Sequence, residues 1–147
     1  MRTDVKIVNH SGRPLPDYQT IGSAGVDLRA HLEAPVTLQP LERRLIPTGL
    51  FIELPYGYEA QVRPRSGLSL RRGLTCVNAV GTIDSDYRGE LKVPLVNLDR
   101  APQTIEPGER IAQLVLAKHG VIAWVEVDAL EDSERGAGGF GSTGGVE

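Results

Sequence analysis

Cysteine is almost missing from this chain. Cys76 is the only one in 147 residues, so no internal disulfide exists and a zinc site built on several thiolates is excluded. Lysine is scarce as well: Lys6, Lys92 and Lys118 are the whole supply, and the formal net charge is −3. General nucleic-acid binding needs a basic face that collects phosphates, which this balance does not provide. No apolar run approaches the ~18 residues of a membrane span, and no apolar segment follows Arg2, Asp4 and Lys6 as a leader would require. The expectation is a cytoplasmic protein that works off the membrane. His10, His31 and His119 lie far apart without metal-ligand spacing and are expected on surfaces or strand ends. Gly-Lys-Ser/Thr and Gly-x-Ser-x-Gly are both absent. A formal G-x-G-x-x-G match from Gly136 to Gly141 has no helix or acid to follow it before Glu147, so a dinucleotide fold is excluded.

What is present reads as β structure. A chain of this length suits one domain that buries about two-thirds of its unfolded surface. Apolar residues alternate with period two at Val5-Ile7, Val36-Leu38, Leu50-Ile52-Leu54, Tyr58-Ala60-Val62, Leu91-Val93-Leu95 and Val121-Ala123-Val125-Val127. Turn signals separate them at Pro55-Tyr56-Gly57, at 97–100 and at Pro107-Gly108-Glu109. Together these predict an all-β fold, a jelly-roll-like barrel or sandwich. One short helix is expected over Ser66–Gly73, with Ser66 as N-cap, Arg71 and Arg72 at the negative dipole end, and Gly73 as terminator. Cys76, between Leu74 and Val77, is expected as a buried neutral thiol. Residues 1–134 form the domain on this reading, the acids from Glu126 to Glu134 being a solvated connector, and 135–147 a flexible Gly-rich arm.

Two segments carry chemistry. Gly81-Thr-Ile-Asp-Ser-Asp-Tyr-Arg-Gly89 places two carboxylates, a ring and a guanidinium in a Gly-bounded turn between apolar stretches. Its glycines are expected to permit conformations that a Cβ forbids, which leaves two readings open: a solvated surface hairpin, or a loop that presents its backbone to a small planar ligand. The tail, Arg135 to Gly145, is either an idle linker or an arm that folds over a ligand, with Arg135 for phosphate, Phe140 for a ring, and Ser142 and Thr143 for further oxygens. Any metal would fall to carboxylates and phosphates, which favours a hard ion such as Mg²⁺.

Five motifs in order resemble the trimeric dUTP pyrophosphatases, the dUTPases: Ala24-Gly-Val-Asp-Leu28, Arg63-Pro-Arg-Ser-Gly-Leu68, the stretch from Asn78 to Glu90, Gly108-Glu-Arg-Ile-Ala-Gln113, and the stretch from Arg135 to Gly144. The resemblance implies a jelly-roll subunit, a homotrimer with shared sites, and Mg²⁺-dependent hydrolysis of dUTP to dUMP and pyrophosphate, which limits uracil in DNA and supplies dUMP for dTMP synthesis. It implies Asp84 as the base that activates water and contacts the 3′-hydroxyl, and Tyr87 as the ring on the deoxyribose. Backbone around Asn78, Gly81, Thr82 and Ile83 would read uracil. Arg65, Ser66, Gly67 and Gln113 would hold phosphates, and Asp27 would reach the metal through water. Arg135, Phe140, Gly141, Ser142 and Thr143 would close over the nucleotide from a third subunit.

The related dCTP deaminases share the fold that this resemblance implies, but Pro94 stands where that enzyme would need a strand glutamate. A non-catalytic nucleotide-binding module and a purely structural trimer are two further readings of these residues.

Overall fold

The computed structural model describes residues 2–139. In chain order the elements are β1 (Lys6–Asn9), β2 (Val26–Arg29), β3 (Val36–Leu38), β4 (Arg43–Glu53), β5 (Tyr58–Arg63), α1 (Ser66–Arg72), β6 (Leu74–Cys76), β7 (Gly81–Ile83), β8 (Glu90–Asn97), β9 (Gln103–Ile105) and β10 (Arg110–Lys118). They form two four-stranded antiparallel sheets, ordered β1-β4-β8-β6 and β2-β10-β5-β7, and a small β3-β9 pair. This is the expected jelly roll. Alternate residues of each strand turn inward: Leu91, Val93 and Leu95 from β8 meet Ala60 and Val62 from β5 in one core with Leu28, Ile46, Leu74 and Ile111. Each large apolar side chain buried there contributes about 1.5–3 kcal/mol.

Two irregularities shape the sheets. Between Pro47 and Phe51 the β4/β8 register shifts, and Gly49 turns left-handed with φ 71°. A Cβ on Gly49 would lie 2.9 Å from the backbone of Ser11, so only glycine fits this bulge. The buried Thr48 hydroxyl fastens it, donating to Leu91 O at 2.6 Å and accepting from Leu50 N. A second shift lies between Arg110 and Ala112 in β10, which lets the consecutive residues Ile111 and Ala112 both be buried.

Several expectations hold. Pro55-Tyr56-Gly57 closes a turn with Gly57 at φ 84°, and Gly108 turns at φ 79°. Asn97, fully buried, ends β8 by donating to Leu38 O and Ala101 O and accepting from Asp99 N. Cys76 is buried, and loss of solvation pushes its thiol up to about 11, so it is neutral at physiological pH. The three histidines and the acidic connector are exposed, and His10 packs its edge on Phe51.

Others are corrected. Helix α1 begins at Ser66, and the N-cap is Arg65, extended at φ −95° and ψ 127° with no side-chain cap. Ser66 is therefore the first helical residue. Gly73 does terminate the helix in the left-handed region, at φ 60°. Val121–Val127 is not a strand: its residues are exposed, Trp124 at 86 %, and a strand needs a neighbour for its backbone groups, which none of the described residues supplies there. Among the described residues the last strand is β10, whose run Leu114-Val115-Leu116-Ala117 is apolar on both faces and so hides the period of two. Gly81–Gly89 is no hairpin, because β7 pairs with β5 while β8 pairs with β4 and β6; the chain crosses from one sheet to the other. Gly81 and Gly89 also lack positive φ.

Asn97→Ala is expected to strand the buried groups that this amide serves and to cost about 3 kcal/mol in urea unfolding. A loss below about 0.5 kcal/mol would show that the turn satisfies them otherwise.

Candidate active site

The outer face of the second sheet carries a polar row. Asp27 on β2 lies across from Gln113 on β10, which lies across from Arg63 on β5. Their neighbours Leu28, Ala112 and Val62 point into the core, so this row points out. Gly25 leaves room for the Gln113 amide, since a Cβ there would sit 3.2 Å from Oε1.

Two arginines grip Asp27. Arg65 Nε is 3.0 Å from Oδ1 and Arg110 Nη1 is 3.2 Å from Oδ2. The Arg65 Nε is buried and meets the distance without hydrogen-bond alignment, so the contact is an ion pair. Two guanidiniums on one carboxylate leave one positive charge over, beside the start of α1. There Ser69 N is the first to bond back, to Arg65 O at 3.0 Å, so the amides of Ser66, Gly67 and Leu68 are unused by the helix. Arg65, Ser66, Gly67, Asp27 and Gln113 thus form one electropositive cluster suited to an anion. Arg110 belongs to it and was missed in the sequence, although it stands inside the Gly108–Gln113 motif.

The second cluster surrounds β7. Gly81 is buried against Val62, and a Cβ would press on the Asn78 amide at 3.1 Å and on Val62 at 3.3 Å. Its glycine supplies space, not an unusual dihedral. Beyond Ile83 the chain turns: Tyr87 N donates to Asp84 O at 3.2 Å, and Arg88 Nη1 braces the loop on Ser85 O and Tyr87 O. The Asp84 side chain is exposed. Tyr87 lays its ring on Gly89, where a Cβ would fall 2.2 Å from Oη, and its hydroxyl donates to Glu90 O at 3.0 Å.

The clusters stand apart. Ile83 pairs with Ala60 whereas Gln113 pairs with Arg63, and β7 is two strands from β10. At ordinary spacings Asp84, level with Glu59, is about 13 Å along and about 10 Å across from Gln113. Asp27 lines a cavity of about 410 Å³ beside Arg29 and Arg13, whereas neither that cavity nor those of about 380, 270 and 1010 Å³ has Asp84, Tyr87, Ser66 or Gln113 in its walls. Arg135 is exposed in a turn of its own, donating to Gly138 O. Phe140, Gly141, Ser142 and Thr143 lie outside the described residues. Among the described residues, no three His, Cys, Asp or Glu gather as a metal would need. No helix among them is long and apolar enough to cross a membrane.

A family model for dUTPase matches residues 12–144. The chain belongs to the dUTPase family. It is an enzyme on that ground. A deoxyuridine 5'-triphosphate nucleotidohydrolase of Finegoldia magna is 58% identical over 140 residues, spanning 95% of this chain and 98% of the relative. One from Cytophaga hutchinsonii is 59% identical over 144 residues, spanning 98% and 94%. Among solved structures, the dUTPase of Staphylococcus bacteriophage 80alpha with dUPNHPP superposes at TM-score 0.87 with 27% identity, covering 97% of this chain and 99% of that one. Both clusters fall inside the span matched by the dUTPase model.

In this dUTPase, Gly89→Ala is expected to drive the Tyr87 ring off its seat. The ring resonances, assigned by loss in Tyr87→Phe, should shift strongly; unmoved resonances would show that the ring does not set the space at Gly89.

Proposed function

We propose that the enzyme hydrolyses dUTP to dUMP and pyrophosphate by attack of water on the α-phosphate, with Asp84 as base. Membership of the dUTPase family over residues 12–144 carries the reading, and the two clusters divide the labour. Asp84 projects into solvent at the exit of β7, where its carboxylate can take a proton from a water held in line with phosphorus. The same carboxylate contacts the deoxyribose 3′-hydroxyl, and the Tyr87 ring covers the sugar and excludes a 2′-hydroxyl. Strand β7 is the edge of its sheet, so one row of its N–H and C=O groups is free to meet a planar uracil edge beside Asn78, Gly81, Thr82 and Ile83. The tight fit around Gly81 supports exclusion of thymine, for which a methyl alone contributes about 1–3 kcal/mol.

Phosphates belong to the other cluster. Arg65 and its excess charge, the free amides of Ser66 and Gly67, and the Gln113 amide offer donors to anionic oxygens. The donor set fits Mg²⁺ only in one way. Asp27 is a single carboxylate already between two guanidiniums, so it would meet the ion only through water, with the substrate phosphates as the main holders, and the ion would supply charge neutralisation there.

The base stands about 16 Å in backbone terms from the phosphate residues of its own chain, and a site shared between subunits brings it nearer the phosphate. This supports a homotrimer in which one subunit supplies the β7 turn and a second the electropositive cluster. Residues 1–134 are the shared domain, and the arm from 135 to 147 brings Arg135, Phe140, Gly141, Ser142 and Thr143 from a third subunit to close the site against water. In the cytosol the reaction keeps uracil out of DNA and supplies dUMP for dTMP synthesis.

Pyrophosphate release measured on dUTP, dCTP, dTTP and UTP with Mg²⁺ is expected on dUTP alone; ammonia from dCTP would overturn the assignment. Asp84→Asn is expected to lower kcat by about 10³-fold with dUTP binding retained. Turnover within a few-fold of the parent would remove Asp84 as base.

A further inference from the structure

Glu90 lies just past the β7 turn, at the start of β8. Its Oε1 accepts the Gly49 N–H at 2.8 Å, and its Oε2 is 3.5 Å from Lys92 Nζ. Gly49 is the left-handed residue of the β4 bulge, and its own carbonyl accepts from His10 N at 2.8 Å. That bulge is fastened by the Thr48 hydroxyl and closed in by the backbone of Ser11. The backbone carbonyl of the same Glu90 receives the Tyr87 hydroxyl. Glu90, itself paired with Phe51 at the head of the β4/β8 ladder, therefore stands between the bulge and a half-exposed ring on a loop whose two ends belong to different sheets.

We propose that Glu90 is a positioning residue for sugar discrimination: its carboxylate, tied to the Gly49 N–H, fixes the carbonyl on which Tyr87 rests. The inference depends on the reading of Tyr87 as the ring that covers the deoxyribose. Two sugars that differ by one hydroxyl are told apart only by a surface that does not yield. An aromatic ring whose hydroxyl anchor can drift would let the 2′-hydroxyl in. Gly89 supplies the floor under the ring and Glu90 the stop at its end. Its contacts run to Gly49, Lys92 and Tyr87, so the residue acts on selectivity through Tyr87.

The test compares kcat/KM for dUTP and UTP in the parent enzyme, Tyr87→Ala, Glu90→Ala and Glu90→Gln, with urea unfolding of each. Glu90→Gln keeps an oxygen for the Gly49 N–H and is expected to keep the parent dUTP/UTP preference. Glu90→Ala is expected to lose about tenfold of that preference, with KM for dUTP rising more than kcat falls. If Glu90→Ala does not fold, Glu90→Asp, one methylene too short to reach the bulge, is expected to show the same loss. A Glu90→Ala or Glu90→Asp enzyme with lowered stability and full preference overturns the proposal, since the carboxylate then serves only the sheet. Loss of preference in Glu90→Gln equal to that in the alanine variant overturns it as well. Should Tyr87→Ala keep the preference, the reading of the ring itself fails, and the inference with it.

Discussion

The register of β10 is the constraint on which the electropositive cluster depends. This strand is paired on both sides, with Gln113 held between Asp27 and Arg63. Side chains alternate with a period of two, so a slip by one residue would turn Gln113 into the core and bring Ala112 or Leu114 to the surface. The bulge between Arg110 and Ala112 absorbs the one place where the alternation breaks. It buries Ile111 and Ala112 together and leaves Arg110 outside, where it can grip Asp27. Packing and charge are therefore set by the same few backbone bonds.

The β7 turn obeys a different logic. It joins strands of opposite sheets, so its two ends sit in different ladders and none runs across it. Its order comes from short bonds inside the loop, from the ring of Tyr87 against Gly89, and from contacts to the β4 bulge. Such a loop is built by side chains reaching backbone, which explains its density of Asp, Ser, Tyr and Arg better than solvation does.

Much of the fold is legible in the residues. The strands around Ile52, Ala60 and Val93 alternate apolar with polar because one face of each meets water, and the turn at Gly57 announces itself in three residues. Strand β10 is hidden for the opposite reason, since Val115 and Ala117 make its outer face apolar too. The alternation at Val121–Val127 is a true signal of a strand's chemistry, yet a strand exists only with a partner, and sequence shows the pattern without showing the partner. The family motifs make Asp27 and Gln113 visible as polar residues set among apolar ones, and Asp84 as a carboxylate in a polar turn. They do not show that Asp27 is shared by Arg65 and Arg110, because a contact across 83 positions, from Asp27 to Arg110, leaves no local mark. Nor do they show why Gly81 and Gly89 are glycines. Both look like hinge residues in the sequence and are in fact clearances, one for Asn78 and Val62, the other for a ring.

That distinction bears on how the loop can change over time. On the proposed reading, a ligand edge met by the free main chain of β7 meets the same atoms whichever side chains the strand carries. Substitutions at the exposed Thr82 alter only what hangs away from that edge, while those at Ile83 are limited by its packing on the core. Specificity of this kind is insulated from drift, and it resists redesign for the same reason. The vulnerable positions are the clearances, where adding one carbon moves the backbone or the ring itself. A lineage can vary freely around such a site while its two glycines stay pinned.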